Sequence, residues 1–84
     1  MKQTSLIYMT NVSINRILIV GHGSIGQRHL HLARGLFPEA DIRVLRHKKG
    51  SEVPHNANGN FDNLDDAIAF SPQIAIIAIP HLFI

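Results

Sequence analysis

The sequence contains no cysteine and no tryptophan, and its other aromatic residues are few. Without cysteine there is no disulfide framework, and there are no thiolate ligands for a structural zinc ion. The longest apolar runs fall well short of the roughly 18 residues that a membrane-spanning helix needs. The first ten residues also lack the apolar stretch and the cleavage site of a signal peptide. We therefore expect a soluble, cytoplasmic protein in a reducing compartment, without a membrane partner.

Charge is also scarce, and neither sign dominates. Eight lysines and arginines stand against six aspartates and glutamates in 84 residues, which gives a formal net charge of +2. This excess is too small to predict a nucleic-acid partner. With 45% hydrophobic residues, the composition is that of one small globular domain. A chain of this length buries only about 60 to 65% of its unfolded surface, so its core is expected to be marginal.

Apolar patterning indicates alternating strands and helices. The aliphatic run at 17–20 is typical of a strand that is buried on both faces. The segment after it predicts a helix, because its apolar residues recur at helical spacing. The residues expected on the buried face of this helix are Ile25, Leu32, Ala33 and Leu36.

A second strand is expected at 42–45. It contains Arg43, which fits a position near the sheet edge or a strand with one face toward solvent. The polar segment at 46–59 predicts a loop, and residues 60–61 predict a vestigial strand.

The last third of the chain predicts a second helix and another strand. Asn63 is expected to cap the helix, with Asp66 three positions on completing a capping-box-like pair. The aliphatic run at 74–79 predicts a central strand. Strands and helices thus alternate, which is typical of a parallel α/β sheet with right-handed crossovers.

A G-x-G-x-x-G motif lies between the first strand and the first helix. It consists of Gly21, His22, Gly23, Ser24, Ile25 and Gly26. The first glycine permits a tight turn, the second lets a pyrophosphate approach the backbone, and the third lets the helix pack closely on the sheet. The helix N-terminus offers N–H groups and partial positive charge to phosphates. We expect these six residues to bind a dinucleotide; the alternative is a tight turn whose glycines serve packing only.

The residue that selects the cofactor is expected about 20 positions later. NAD-binding proteins usually have an acid there, which bonds the adenosine ribose. This sequence has Arg46 instead, and Asp41 is expected at the opposite end of the sheet. The cluster of Arg46, His47, Lys48 and Lys49 suits a 2′-phosphate. We expect Arg46 and His47 to bind the cofactor and NADP to be slightly favoured over NAD; a solvated basic loop is the alternative.

The six histidines do not predict a metal site. His29 and His31 are two positions apart on the predicted helix, so their side chains project about 200° from each other and cannot hold one ion. His22 is expected near the cofactor, but no catalytic residue is predicted. His81 follows the last strand at the ligand-bearing edge of the sheet and is a candidate cofactor contact.

The chain also resembles a known family in three segments, which read ILIVGHGSIGQRH at 17–29, NLDDAI at 63–68 and IAIIAIP at 74–80. Over about 16–80 it is similar to the N-terminal half of the glucose-fructose oxidoreductase, inositol dehydrogenase and rhizopine-catabolism (Gfo/Idh/MocA) family. The resemblance implies an α/β fold with a Rossmann-like doubly wound parallel sheet, truncated to its first half with three to four strands and two helices. It also implies that Ile79 and Pro80 lie beside the nicotinamide ribose.

The resemblance further implies that the parent protein is an oxidoreductase, which transfers hydride between NAD or NADP and a sugar or cyclitol hydroxyl. Residues 16–84 are then a partial dinucleotide-binding domain. Residues 1–15 have no clear apolar period, and we expect them to be a loosely ordered leader. The family's catalytic lysine has no counterpart here, so the chain alone is not expected to be catalytic. We expect it to self-associate through an exposed strand. Two alternatives stay open: a non-enzymatic nucleotide-binding regulatory module on the same fold, and a methyltransferase-like cofactor site.

Overall fold

A computed structural model describes residues 13–46 and 52–79 of the chain. Four parallel strands form one sheet in the order β3-β2-β1-β4. The elements are β1 (Arg16–Val20), α1 (Ser24–Leu36), β2 (Asp41–Leu45), β3 (Gly59–Phe61), α2 (Leu64–Ala69) and β4 (Ile74–Ile77). This confirms the predicted α/β class with a parallel sheet. Within these two ranges, no helix is long and apolar enough to cross a membrane.

Alternation along the strands divides the core between the two faces of the sheet. Ile17 and Ile19 of β1 contribute to one buried cluster, and Leu18 between them contributes to another, because successive strand side chains point to opposite faces. The first cluster contains Ile17, Ile19, Leu30, Ala33, Ala40, Ile42, Val44 and Ala78. The second contains Leu18, Leu45 and Ala67. Helix α1 therefore covers one face and α2 covers part of the other.

The predicted buried face of α1 is largely wrong. Ala33 is buried as expected, but Ile25, Leu32 and Leu36 are 47%, 50% and 73% exposed. The buried residues of the helix are Gly26, Leu30 and Ala33, which also recur at helical spacing. The spacing of apolar residues alone does not show which of these two sets of residues faces the sheet. The choice is made by Gly26, which contacts the backbone of the loop before it and so fixes the rotation of the helix.

The predicted edge position of β2 is also wrong, because this strand lies between β1 and β3. Its Arg43 is accommodated in an interior strand by three partners. The guanidinium pairs with Asp41 at 2.6 Å and lies 5.8 Å from the ring centroid of Phe61 and 5.2 Å from that of Phe70. The Arg43 side chain remains 33% exposed, as the other part of the prediction allows.

Strand β4 is predicted to be central but lies at one edge of the described sheet. Its Ile77 is 63% exposed, and Ile79 just beyond it is 57% exposed. An unpaired strand edge with exposed apolar side chains favours pairing with another chain. Self-association through this edge stays a prediction.

The amino ends of β1 and β4 are joined through Gln73. Its Oε1 accepts hydrogen bonds from the backbone N–H of Asn15 at 2.6 Å and of Arg16 at 3.0 Å. Its Nε2 donates to the carbonyl of Ser13 at 2.7 Å. Ile14 packs against the larger buried cluster. Residues 13–15 of the predicted leader thus contact the sheet, and 1–12 lie outside the described residues.

The side chain of Arg34, near the end of α1, binds both the connection between α1 and β2 and the connection between β2 and β3. Its guanidinium donates to the carbonyls of Pro38 at 3.0 Å, Ala40 at 2.9 Å and Asn56 at 3.1 Å. It also donates to Oδ1 of Asn58 at 2.7 Å. One charged side chain therefore satisfies two carbonyls between α1 and β2 and one between β2 and β3.

Candidate functional site

The glycine motif lies at the carboxyl end of β1, between the ends of its two neighbours. The N–H of Gly21 donates to the carbonyl of Leu45 at 2.9 Å, and the N–H of Ala78 donates to that of Val20 at 2.8 Å. The loop therefore starts where β1, β2 and β4 end together. In open α/β sheets, ligands bind at this edge, outside the carboxyl ends of the strands.

Gly21 is required by the turn itself. Its φ is +102°, in the region that favours glycine. A Cβ at this position would lie 2.6 Å from the carbonyl oxygen of Ala78 and 3.3 Å from Cγ2 of Ile79. Both the backbone conformation and the space next to β4 therefore exclude a side chain. Ala78 is not among the site residues predicted from the sequence, although a small residue inside an aliphatic run is a signal of such a close approach.

Gly26 is required by the packing of α1. A Cβ here would collide with the carbonyl oxygen and carbon of Gly21, and the residue is buried. These are backbone atoms that a side-chain rotation cannot move. The first and third glycines of the motif are thus explained by contacts within the chain.

Gly23 differs from both. It is exposed, its φ of −83° suits any residue, and a Cβ here would meet nothing within 4 Å. It is the N-cap of α1 and provides no side-chain capping bond, and the first turn carries no acidic residue. Ser24 and Ile25 next to it are exposed. No contact within the described residues explains a glycine at position 23.

The first turn of α1 consequently has the properties of an anion site. The carbonyl of Gly23 accepts from the N–H of Gln27 at 2.9 Å, so the helix is fully wound from its start. The N–H groups before Gln27 have no partner inside a helix, and they carry the positive end of the helix dipole. A diphosphate would bring oxygen acceptors for these N–H groups and would need the room that a side chain at Gly23 would fill.

Arg46 lies next to the glycine loop, at the end of β2. Its N–H donates to the carbonyl of Phe61 at 2.9 Å, which attaches it to β3. Within the described residues, its guanidinium makes one long contact, 3.4 Å from Nη1 to the carbonyl of Glu52. Asp41, as predicted, lies at the other end of the strand, where it pairs with Arg43. The carboxyl end of β2 therefore presents a cation where an NAD-selecting acid is usual.

His22 lies between these features. Its Nδ1 is buried without a hydrogen-bond partner. Burial first, and the positive charge of Arg46 second, lower the pKa of the His22 imidazole below its ordinary value. The side chain is therefore expected to be neutral at pH 7.

The remaining predicted site residues divide into two groups. Ile79 lies against the loop, since its Cγ2 approaches the Cβ position of Gly21. His47, Pro80 and His81 lie outside the described residues, so their roles stay predictions. Among the residues that are described, no group of three His, Asp or Glu side chains is placed to hold a metal ion.

Comparisons with protein-family models, with curated proteins and with solved structures return no match for this chain.

Proposed function

We propose that the chain is the nucleotide-binding part of an NAD(P)-dependent oxidoreductase with a Rossmann-type fold. The strand order β3-β2-β1-β4 supports this, because 3-2-1-4 begins the order 3-2-1-4-5-6 of that fold. The chain leaves β1 toward β2 on one side, and β4 is added on the other side. The glycine loop therefore lies at the point where the strand order reverses, which is where dinucleotides bind in such sheets.

The observation that carries the proposal is the difference among the three glycines. If the motif served packing only, each glycine would be surrounded by protein atoms. Gly21 and Gly26 are, whereas a Cβ on Gly23 would project into open space. A ligand that lies against the bare backbone at Gly23 gives this residue a reason to be glycine.

In this proposal the chain's own residues hold and orient the cofactor. The N–H groups at the start of α1 bind the pyrophosphate, and Gly23 leaves room for it. Arg46 lies on the adenosine side, and Ile79 lies on the side of β4, toward the nicotinamide. A bound nicotinamide would supply hydride transfer. By the resemblance, the substrate of the parent protein is a sugar or cyclitol alcohol.

Arg46 is the basis for favouring NADP over NAD. A guanidinium binds a phosphate through two parallel hydrogen bonds, and Arg46 has one long contact to Glu52 and no carboxylate partner among the described residues. A 2′-phosphate would use donors that the chain leaves available, whereas the ribose hydroxyls of NAD would meet no carboxylate acceptor here.

Calorimetric titration of the chain with NADPH, NADH and S-adenosylmethionine tests the proposal. We expect NADPH to bind more tightly than NADH, and S-adenosylmethionine not to bind. Arg46→Gln should weaken NADPH binding by about tenfold or more, the value of a charge-assisted hydrogen bond, and should change NADH binding little. Arg16→Gln removes the same charge at the opposite end of β1 and is the matched control.

Three outcomes would contradict the proposal or part of it. If none of the three ligands binds, the nucleotide site is refuted. Binding of S-adenosylmethionine alone would indicate the methyltransferase-like alternative. If Arg46→Gln and Arg16→Gln have equal effects on NADPH, Arg46 acts through net charge only and the preference for NADP is wrong.

A further inference from the structure

His22 lies in an environment that opposes a positive charge. A protonated imidazole has two N–H donors, and the buried Nδ1 would have no acceptor for its proton. Burial and the charge of Arg46 both act in the same direction on the pKa of this side chain. No other charge in the described part of the chain shifts it. Burial is the larger of the two causes, and the charge of Arg46 is the one that a bound anion can compensate.

The two residues are brought together by strand register. Val20 pairs with Leu45 at the ends of β1 and β2, and the N–H of Gly21 then bonds the carbonyl of Leu45. Arg46 follows Leu45 directly, and His22 follows Gly21, so both lie just past the carboxyl ends of these neighbouring strands. They lie on the adenosine side of the proposed site, where a 2′-phosphate would bind.

The elements around this pair supply little negative charge. The first turn of α1 has no acid, and its next turn brings Arg28 and His29. The end of β4 brings the apolar residues Ala78 and Ile79.

On the β3 side there are two carboxylates. Asp62 accepts a hydrogen bond from Asn63 at 3.0 Å, and Glu52 contacts Arg46 through its main-chain carbonyl. Lys48 and Lys49, outside the described residues, have the same sign of charge as Arg46. The pair therefore has an excess of positive charge until an anion binds.

On the basis of the proposed function, we propose that His22 takes up a proton when a 2′-phosphate binds at Arg46, so that the preference for NADPH over NADH increases as the pH falls. A phosphate dianion cancels the repulsion from Arg46 and attracts the imidazolium. NADH has no charge at its 2′ position and therefore leaves the positive charge of Arg46 uncompensated. The pyrophosphate is common to both nucleotides and cancels from the comparison.

The direction of the pH effect follows from proton linkage. In the free chain the pKa of His22 lies below its ordinary value. Proton uptake requires that it is higher in the NADPH complex. The complex then binds more protons than the free chain, so NADPH affinity rises as the pH falls through the interval between the two values. The limit for one proton is about tenfold in affinity per pH unit. The 2′-phosphate itself titrates at about pH 6, and its protonation weakens NADPH binding. The measurement therefore belongs between pH 6.5 and 8.

Calorimetry of the full chain in two buffers of different ionisation enthalpy measures the proton uptake directly. At pH 7 we expect clearly more proton uptake per NADPH than per NADH, since the pyrophosphate is common to both. The ratio of the NADH and NADPH dissociation constants should rise by about threefold or more from pH 8 to pH 6.5. His22→Gln should abolish both effects, whereas His31→Gln, an exposed histidine on α1, should preserve them.

Histidine resonances provide a second measurement that does not depend on the folding of a variant. The midpoint of the His22 titration in the wild-type chain should rise more on addition of NADPH than on addition of NADH. If both nucleotides bind with equal or no proton uptake, or if His22→Gln retains the uptake, the inference is wrong while the proposed function stands. If neither nucleotide binds, both are wrong.

Discussion

The two helices of this chain begin in opposite ways. In α2, Oδ1 of Asn63 accepts from the N–H of Asp66 at 2.8 Å, and Nδ2 of Asn63 donates to Oδ2 of Asp66 at 2.9 Å. Asp65 and Asp66 add two negative charges to the first turn. In α1, Gly23 caps with no side chain, and the first turn has no acid. One helix start is neutralised by its own chain, and the other is left open to an external anion.

The difference is present at each equivalent position. Gly23 is the N-cap where α2 has Asn63, and Gly26 is the third helical residue where α2 has Asp66. The contact of Gly26 with the backbone of Gly21 excludes an acidic side chain there, so α1 cannot form a capping box. No such obstacle exists at Gly23. Packing therefore excludes a capping side chain at Gly26. At Gly23, the proposed anion binding accounts for the lack of one.

The largest effect is expected from Gly26→Ala. The added methyl group collides with backbone atoms of Gly21, which can move only if the helix shifts on the sheet. We expect a loss of about 3 kcal/mol in the free energy of unfolding, measured by urea denaturation followed by circular dichroism. Gly35→Ala is the control, since a Cβ there meets nothing, and it should stabilise the chain by about 0.5 kcal/mol. Equal stabilities of the two variants would contradict the packing role of Gly26.

Gly23→Asp makes the start of α1 similar to that of α2. The carboxylate would cap the first turn and occupy the proposed phosphate position. We expect the free energy of unfolding to rise by about 0.5 kcal/mol and the affinities for NADH and NADPH to fall by on the order of 100-fold. Titration calorimetry and denaturation measure the two changes.

Gly35→Asp places the same side chain at the other end of α1 and is the matched control. It should leave nucleotide affinity unchanged and lower stability slightly, because a negative charge is unfavourable at a helix C-terminus. Undiminished nucleotide binding by Gly23→Asp would refute the anion site.

Features that depend on local chemistry could be predicted from the sequence. The order of strands and helices and the cap by Asn63 are confirmed, although β4 ends at Ile77 and not at 79. Capping and glycine turns involve residues within four positions of each other, so their requirements are visible in a short segment. The placement of Asp41 and Arg46 at opposite ends of β2 also follows from the direction of one strand.

Features set by distant contacts could not be predicted. Nothing near Arg43 in the sequence shows that Phe61 and Phe70 flank it and allow an interior strand. The inward stripe of α1 depends on the contact between Gly26 and Gly21, which also decides the exposure of Ile25. The burial of His22 Nδ1 without a hydrogen-bond partner is likewise a property of the folded chain. Each of these needs the assembled sheet.

The smallest effect is expected from Asn63→Ala, which removes the cap of α2. Losing one capping hydrogen bond should lower the free energy of unfolding by about 1 kcal/mol, and Asn63→Ser should restore most of it. Nucleotide affinity should not change, because Asp65 and Asp66 still repel phosphate from the uncapped turn. If the variant instead binds NADPH more tightly or at a second site, an uncapped helix start is sufficient for phosphate binding in this chain. The acidic residues of α2 and the open space at Gly23 would then not account for the difference between the two helices.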